Sequence, residues 1–75
     1  MIRYKIDVIA ELARRGYTTT VCKERKLIGQ KTLTSIRNGG TITTETLNTL
    51  CLLLRCQPGD IFEVVATDEE KLRLF

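Results

Sequence analysis

The sequence of 75 residues has no histidine and no tryptophan, a single proline and only four aromatic residues, Tyr4, Tyr17, Phe62 and Phe75. Without histidine, Ser-His-Asp triads, imidazole acid–base steps and His-containing metal sites are excluded. Four scattered aromatics do not supply the stacking platform of a protein that reads single-stranded RNA. No apolar run approaches the ~18–20 residues of a membrane span, and no basic, apolar and small-residue order opens the chain as a signal peptide would. Three cysteines, Cys22, Cys51 and Cys56, make no disulfide framework. Their number is odd, and the spacing of Cys51 and Cys56 fits neither a redox pair nor a zinc ligand pair. Cys51, inside Leu50-Cys51-Leu52-Leu53-Leu54, reads as a small buried apolar residue. A reducing, cytoplasmic setting is the expectation. The carboxylates are scattered, no nucleophile sits beside a base, and the glycines form no phosphate-cradling loop. We therefore expect no enzyme, no metal and no cofactor.

What is present is an ordinary globular composition, 43% hydrophobic and 28% charged, of a size that holds one core. The net charge of +3 is unevenly spread. Residues 1–40 carry nine Lys or Arg against Asp7, Glu11 and Glu24, hence +6; residues 41–75 carry three against six acids, hence −3. A domain so polarised can face a polyanion with its basic side.

Apolar periodicity predicts a helical chain. Ile6, Ile9, Ala10 and Ala13 form a stripe at helical spacing, giving a first helix over 6–15 that Gly16 stops. Thr18 is the better placed cap of a second helix, from Thr19 to about Leu27, broken by Gly29. The third, Gln30 to Asn38, buries Leu33 and Ile36 and leaves every other position polar before Asn38-Gly39-Gly40 ends it. Thr43 or Thr44 caps a fourth over 44–55, whose Leu47, Leu50, Cys51 and Leu54 make it the expected centre of the core. Pro58 suits the first position of a short fifth helix carrying Ile61, Phe62, Val64 and Val65. Residues 1–4 read as an extended lead-in, and the tail reads equally as a strand or as a helix from Asp68. The fold class expected is all-α, with five helices, a domain over 1–66 and a tail over 67–75.

Stability alone would not place Gln30, Lys31, Thr32, Thr34 and Ser35 around a helix anchored by two aliphatics. Those side chains suit base edges in a major groove: Gln pairs with adenine, Lys donates to guanine, and a Thr methyl meets thymine. The alternative is a merely solvated surface helix.

The segment Thr32-Leu33-Thr34-Ser35-Ile36-Arg37-Asn38-Gly39 resembles the recognition helix of the Cro/C1-type helix-turn-helix regulators. So does the later run Leu47-x-x-Leu50-Cys51-x-x-Leu54-x-Cys56-Gln57-Pro58-Gly59-Asp60-Ile61-Phe62-Glu63. The likeness covers roughly residues 2–65 and extends to the short regulators of mobile elements and resistance gene clusters, among them the VanU type. It implies base reading by Gln30, Lys31, Thr32 and Ser35. It also implies backbone contacts by Thr18, Thr19, Asn38, Gly40, Thr41 and Thr43. Two positions depart from the family pattern. Cys22-Lys23 stands in place of Leu-Ala and Leu27 in place of Gly, so either the second helix is shifted or its turn is rebuilt around Gly29. Arg37 stands where the family often has Glu, and it either pairs in reverse with Glu11 or Asp7 or contacts phosphate.

The function implied is a sequence-specific DNA-binding transcriptional regulator, a repressor acting on a palindromic operator as a homodimer that forms either in solution or only on DNA, without an evident small-molecule effector. The alternative is a protein-interaction module, such as an antirepressor or antitoxin, using the same fold. The expected dimer surface is the fifth helix with the tail, because Phe62, Val64, Val65, Leu72, Leu74 and Phe75 exceed what so small a core can bury.

Overall fold

The structure, a computed structural model, describes residues 1–75 as six helices and one small sheet. In chain order these are β1 (Ile2–Tyr4), α1 (Val8–Arg14), α2 (Thr19–Glu24), α3 (Gln30–Arg37), α4 (Thr44–Leu54), α5 (Pro58–Ile61), β2 (Phe62–Val64) and α6 (Asp68–Leu74). The expectation of five helices without strands is corrected at both ends of the chain. The extended lead-in is a strand, paired antiparallel with β2 so that Ile2 faces Val64, Arg3 faces Glu63 and Tyr4 faces Phe62. The fifth helix is correspondingly short. It ends at Ile61, and the β-branched and aromatic residues after it serve the sheet. Cross-strand pairs hold the ladder: Arg3 Nε donates to Glu63 Oε1 at 2.7 Å, and the Tyr4 and Phe62 rings lie 4.5 Å apart.

Helix boundaries follow the caps. Asp7 accepts from the Ala10 N–H at 3.1 Å, so α1 begins at Val8, two residues later than periodicity suggested. At its other end Gly16 takes a φ of 88°, and the Tyr17 N–H returns to the Leu12 carbonyl at 2.8 Å. The same closure ends α2 three residues before Leu27, with Lys26 at a φ of 55° and the Leu27 N–H bonded to the Cys22 carbonyl at 2.9 Å. The α2–α3 turn is therefore built on Lys26 and not around Gly29. Gly29 is instead the N-cap of α3, with φ −67° and ψ 152°. Thr43, not Thr44, caps α4 by accepting from the Thr46 N–H at 3.1 Å. The tail is helical: Thr67 and Glu70 form a reciprocal capping box that starts α6.

Nine residues are buried: Val8 and Leu12 of α1, Cys22 of α2, Ile28, Leu33 and Ile36, Leu50 and Leu54 of α4, and Ile61. Each fully buried aliphatic contributes about 1.5–3 kcal/mol relative to exposure. Cys22 is the deeply buried cysteine, whereas Cys51, expected inside, is only half-buried. The helical stripe of α4 aims Leu50 and Leu54 inward, which turns the intervening Leu52 out to 70% exposure. No helix is long and apolar enough to cross a membrane.

Candidate nucleic-acid interface

α2 and α3 are joined by the short turn 25–29, and α3 fixes itself to the core through Leu33 and Ile36 alone. At 3.6 residues per turn, those two define one side of the helix. The opposite side then carries Lys31, Thr34, Ser35 and Asn38. Gln30, Lys31, Thr34, Arg37 and Asn38 are exposed, with Thr32 and Ser35 half-buried along the edges. Beside α3 lies an open cleft of about 350 Å³. Lys31, Thr32 and Ser35 form one wall and Thr41, Ile42, Thr43 and Thr46 the other.

The cleft gathers three of the four residues expected to read bases with two of those expected on the DNA backbone. Gln30 stands outside it, exposed on the first turn of α3. Thr18 and Thr19 also lie outside it, at the start of α2, where the Thr18 hydroxyl accepts from the Val21 N–H at 3.2 Å. Asn38 ends α3, and Gly40 packs against it so tightly that a Cβ would meet the Ser35 carbonyl oxygen at 3.1 Å. The Thr43 hydroxyl is committed to capping, since it accepts from the Thr46 N–H and donates to the Thr46 hydroxyl. Its carbonyl is committed as well, accepting from the Leu47 N–H at 3.0 Å. Thr41 is exposed, and neither its N–H nor that of Ile42 bonds within the protein.

One further residue had only a general place among the polar side chains of α3 in the sequence, and one had none. Thr34 shares the exposed face of α3, and its hydroxyl donates to the Gln30 carbonyl at 3.1 Å. Its i+3 spacing from Lys31 was the available signal. The other is Tyr4, whose hydroxyl reaches the Gly40 carbonyl at 2.8 Å across 36 positions of sequence, which no local pattern announces.

The charges complete the surface. Only three ion pairs form: the N-terminal amine with Glu70, Arg3 with Glu63, and Arg14 with Glu11. Glu11 is thus taken by Arg14 and Asp7 by its cap, so the reversed pair with Arg37 does not form. Lys23, Arg25, Lys26, Lys31 and Arg37 are exposed and unpaired, with Glu24 the sole acid between Thr18 and Gly40. Five free cations against one acid make this stretch of the chain attractive to a polyanion. No group of three or more Cys, Asp or Glu gathers to hold a metal ion.

A polar helix on a two-residue anchor, preceded by a turn and a helix with free cations, has counterparts among known proteins. A family model described as the Cro/C1-type HTH DNA-binding domain matches residues 1–67. The chain is 38% identical over 60 residues to YozG of Bacillus subtilis (strain 168), described as an uncharacterized HTH-type transcriptional regulator. That match covers 77% of this chain and 71% of YozG. No solved structure matches the chain. With the family match running from Met1 to Thr67, the chain belongs to the Cro/C1-type HTH DNA-binding domain family.

Proposed function

We propose that the protein regulates transcription by binding a specific DNA sequence, with α3 lying in the major groove. The carrying observation is the exposed face of α3. Its polar side chains Lys31, Thr34 and Asn38 are exposed, and α2, α3 and the turn between them carry five exposed, unpaired cations. In this reading Lys31 and Gln30 read base edges, while Thr32 and Ser35 contact bases along the cleft. Thr18, Thr19, Arg37, Asn38, Gly40, Thr41 and Thr43 position the protein on phosphates without specifying sequence. Arg37, free of any carboxylate partner, takes the phosphate role.

The same proposal holds that two copies bind a palindromic operator and repress by occupying it. The VanU-type likeness adds that such an operator lies in a resistance gene cluster. One short recognition helix reaches few base pairs, and a second copy doubles the contacts. The surface that supports pairing is α6, which buries none of its residues in its own chain. Leu72 and Phe75 are 86% and 90% exposed, and Val64 and Ile2 of the sheet are exposed as well. α6 is also self-complementary in charge: Asp68, Glu69 and Glu70 open it, and Lys71 and Arg73 close it. Two such helices crossing antiparallel about a two-fold axis set acids against bases while covering the leucines.

Alanine variants test the assignment of roles. Lys31→Ala and Gln30→Ala are each expected to cost about 1–3 kcal/mol on the preferred duplex and to relax its sequence preference. Asn38→Ala should weaken preferred and random duplexes by similar factors. If α3 substitutions left preference untouched while Thr18 or Thr19 substitutions altered it, α3 would not be the reading helix. Binding that ignores salt concentration would point instead to a protein partner on this surface.

A further inference from the structure

The sheet and the loop after α3 are connected by one side chain. Tyr4 is fixed twice before its hydroxyl is considered: its backbone stands opposite Phe62 in the β1–β2 register, and its ring packs 4.5 Å from the Phe62 ring. From that position the hydroxyl donates to the Gly40 carbonyl at 2.8 Å. On its other side Gly40 is held by α3, its N–H donating to the Ser35 carbonyl at 2.7 Å. The peptide between Gly40 and Thr41 is therefore gripped at its oxygen. Because a trans peptide is planar, its N–H points opposite to its carbonyl. Gripping the Gly40 oxygen from the sheet side aims the Thr41 N–H away from the sheet. That N–H and the next, on Ile42, have no acceptor within the protein.

We infer that Tyr4 is a positioning residue for DNA binding: its hydroxyl, on the Gly40 carbonyl, orients the free Thr41 N–H as a donor to a DNA phosphate beside the cleft. This inference rests on the proposed function and deepens it by naming a donor and the group that aims it. A backbone N–H suits such a contact, since it has no rotamer to order and cannot distinguish one base from another. Burial pushes the Tyr4 hydroxyl above its ordinary titration range, so it remains a donor in any working buffer. Nothing in residues 1–4 read alone suggests the role, which exists only through the strand pairing.

The test is Tyr4→Phe in the full chain, which keeps the ring against Phe62 and removes the hydroxyl. Melting temperature, affinity for a preferred and a random duplex over a range of salt, and amide chemical shifts with and without DNA are compared with the parent protein. The expected result is melting within a few degrees of the parent and affinity lower by about three- to tenfold on both duplexes. The salt slope should be unchanged, because no cation is lost. The downfield shift of the Thr41 amide on adding DNA should be lost, while shifts at Lys31 and Ser35 persist. Unchanged affinity with the Thr41 shift intact would overturn the inference. A large drop in melting with all shifts lost together would also overturn it, by making Tyr4 a general support of the fold. A parent protein that binds no duplex, with Tyr4→Phe equally inert, would instead defeat the DNA-binding reading on which the inference stands.

Discussion

Two residues hold backbone conformations that glycine would hold at less cost. Lys26 and Arg55 have φ of 55° and 53°, each just past the end of a helix, where α1 and α3 use Gly16 and Gly39. A side chain in that region costs about 1–2 kcal/mol, partly offset because glycine loses more entropy on folding. Arg55→Gly should therefore stabilise the fold by roughly 0.5–1 kcal/mol, read as a raised urea midpoint, and leave DNA binding alone. Lys26→Gly should stabilise similarly yet weaken DNA binding, since it removes a cation from the α2–α3 turn. Lower stability in both would contradict the description of these helix ends. Glu70 supplies a pH signature. The N-terminal amine first, then the Thr67 N–H and hydroxyl, hold its carboxylate at about 2, well below the ordinary 4.5. A depressed carboxylate favours the folded arrangement above the ordinary range and ceases to as pH falls through 2. The attachment of α6 to Met1 should accordingly persist at pH 4 and loosen near 2, with a small effect because the pair is exposed. A Glu70 carboxyl that titrates by NMR near 4.5 would contradict it.

Among the elements, α3 is unusual in starting on a glycine. Gly29 makes no side-chain cap, and a Cβ added there meets nothing within 4 Å. Gly29→Asp should fit without strain and improve the cap by a few tenths of a kcal/mol. It should nevertheless reduce DNA affinity, because it sets a carboxylate beside Gln30 and Lys31 where a polyanion approaches. Thermal melting and a duplex titration on the same sample check both halves. Joint improvement would place the DNA elsewhere. The helices were largely legible in the sequence because their signals are local: Leu33 and Ile36 at i, i+3, threonine caps, and Gly16 and Gly39 as stops. The sheet was not, since Ile2 and Val64 share no pattern until the chain has folded. The end of α2 was misread for a related reason. Positive φ is read from glycine, and here a lysine adopts it. In the candidate site, the grouping of Lys31, Thr32 and Ser35 was legible from side-chain chemistry on a sparsely anchored helix, whereas the lack of a carboxylate partner for Arg37 required knowing that Arg14 already occupies Glu11.

At the scale of the whole molecule, the basic first half of the chain supplies α2 and α3, and the acidic second half supplies α6. The molecule is elongated, 46 × 22 × 19 Å. In the proposed dimer, α6 joins two copies while their α3 helices enter half-sites about one turn, ~34 Å, apart. Leu72→Glu should leave each subunit folded, because Leu72 is 86% exposed, and should abolish the advantage of a palindrome over a single half-site. Sedimentation on each duplex would show it, and equal behaviour of variant and parent would remove α6 from the interface. The proposed surface of α3 reads DNA sequence. Selection of bound duplexes from a random pool by the full chain tests it most directly. The expected result is enrichment of a two-fold motif whose half-sites lie about one helical turn apart and change when Lys31 or Gln30 is replaced. A pool that stays flat through successive rounds, at salt low enough for binding, would contradict it.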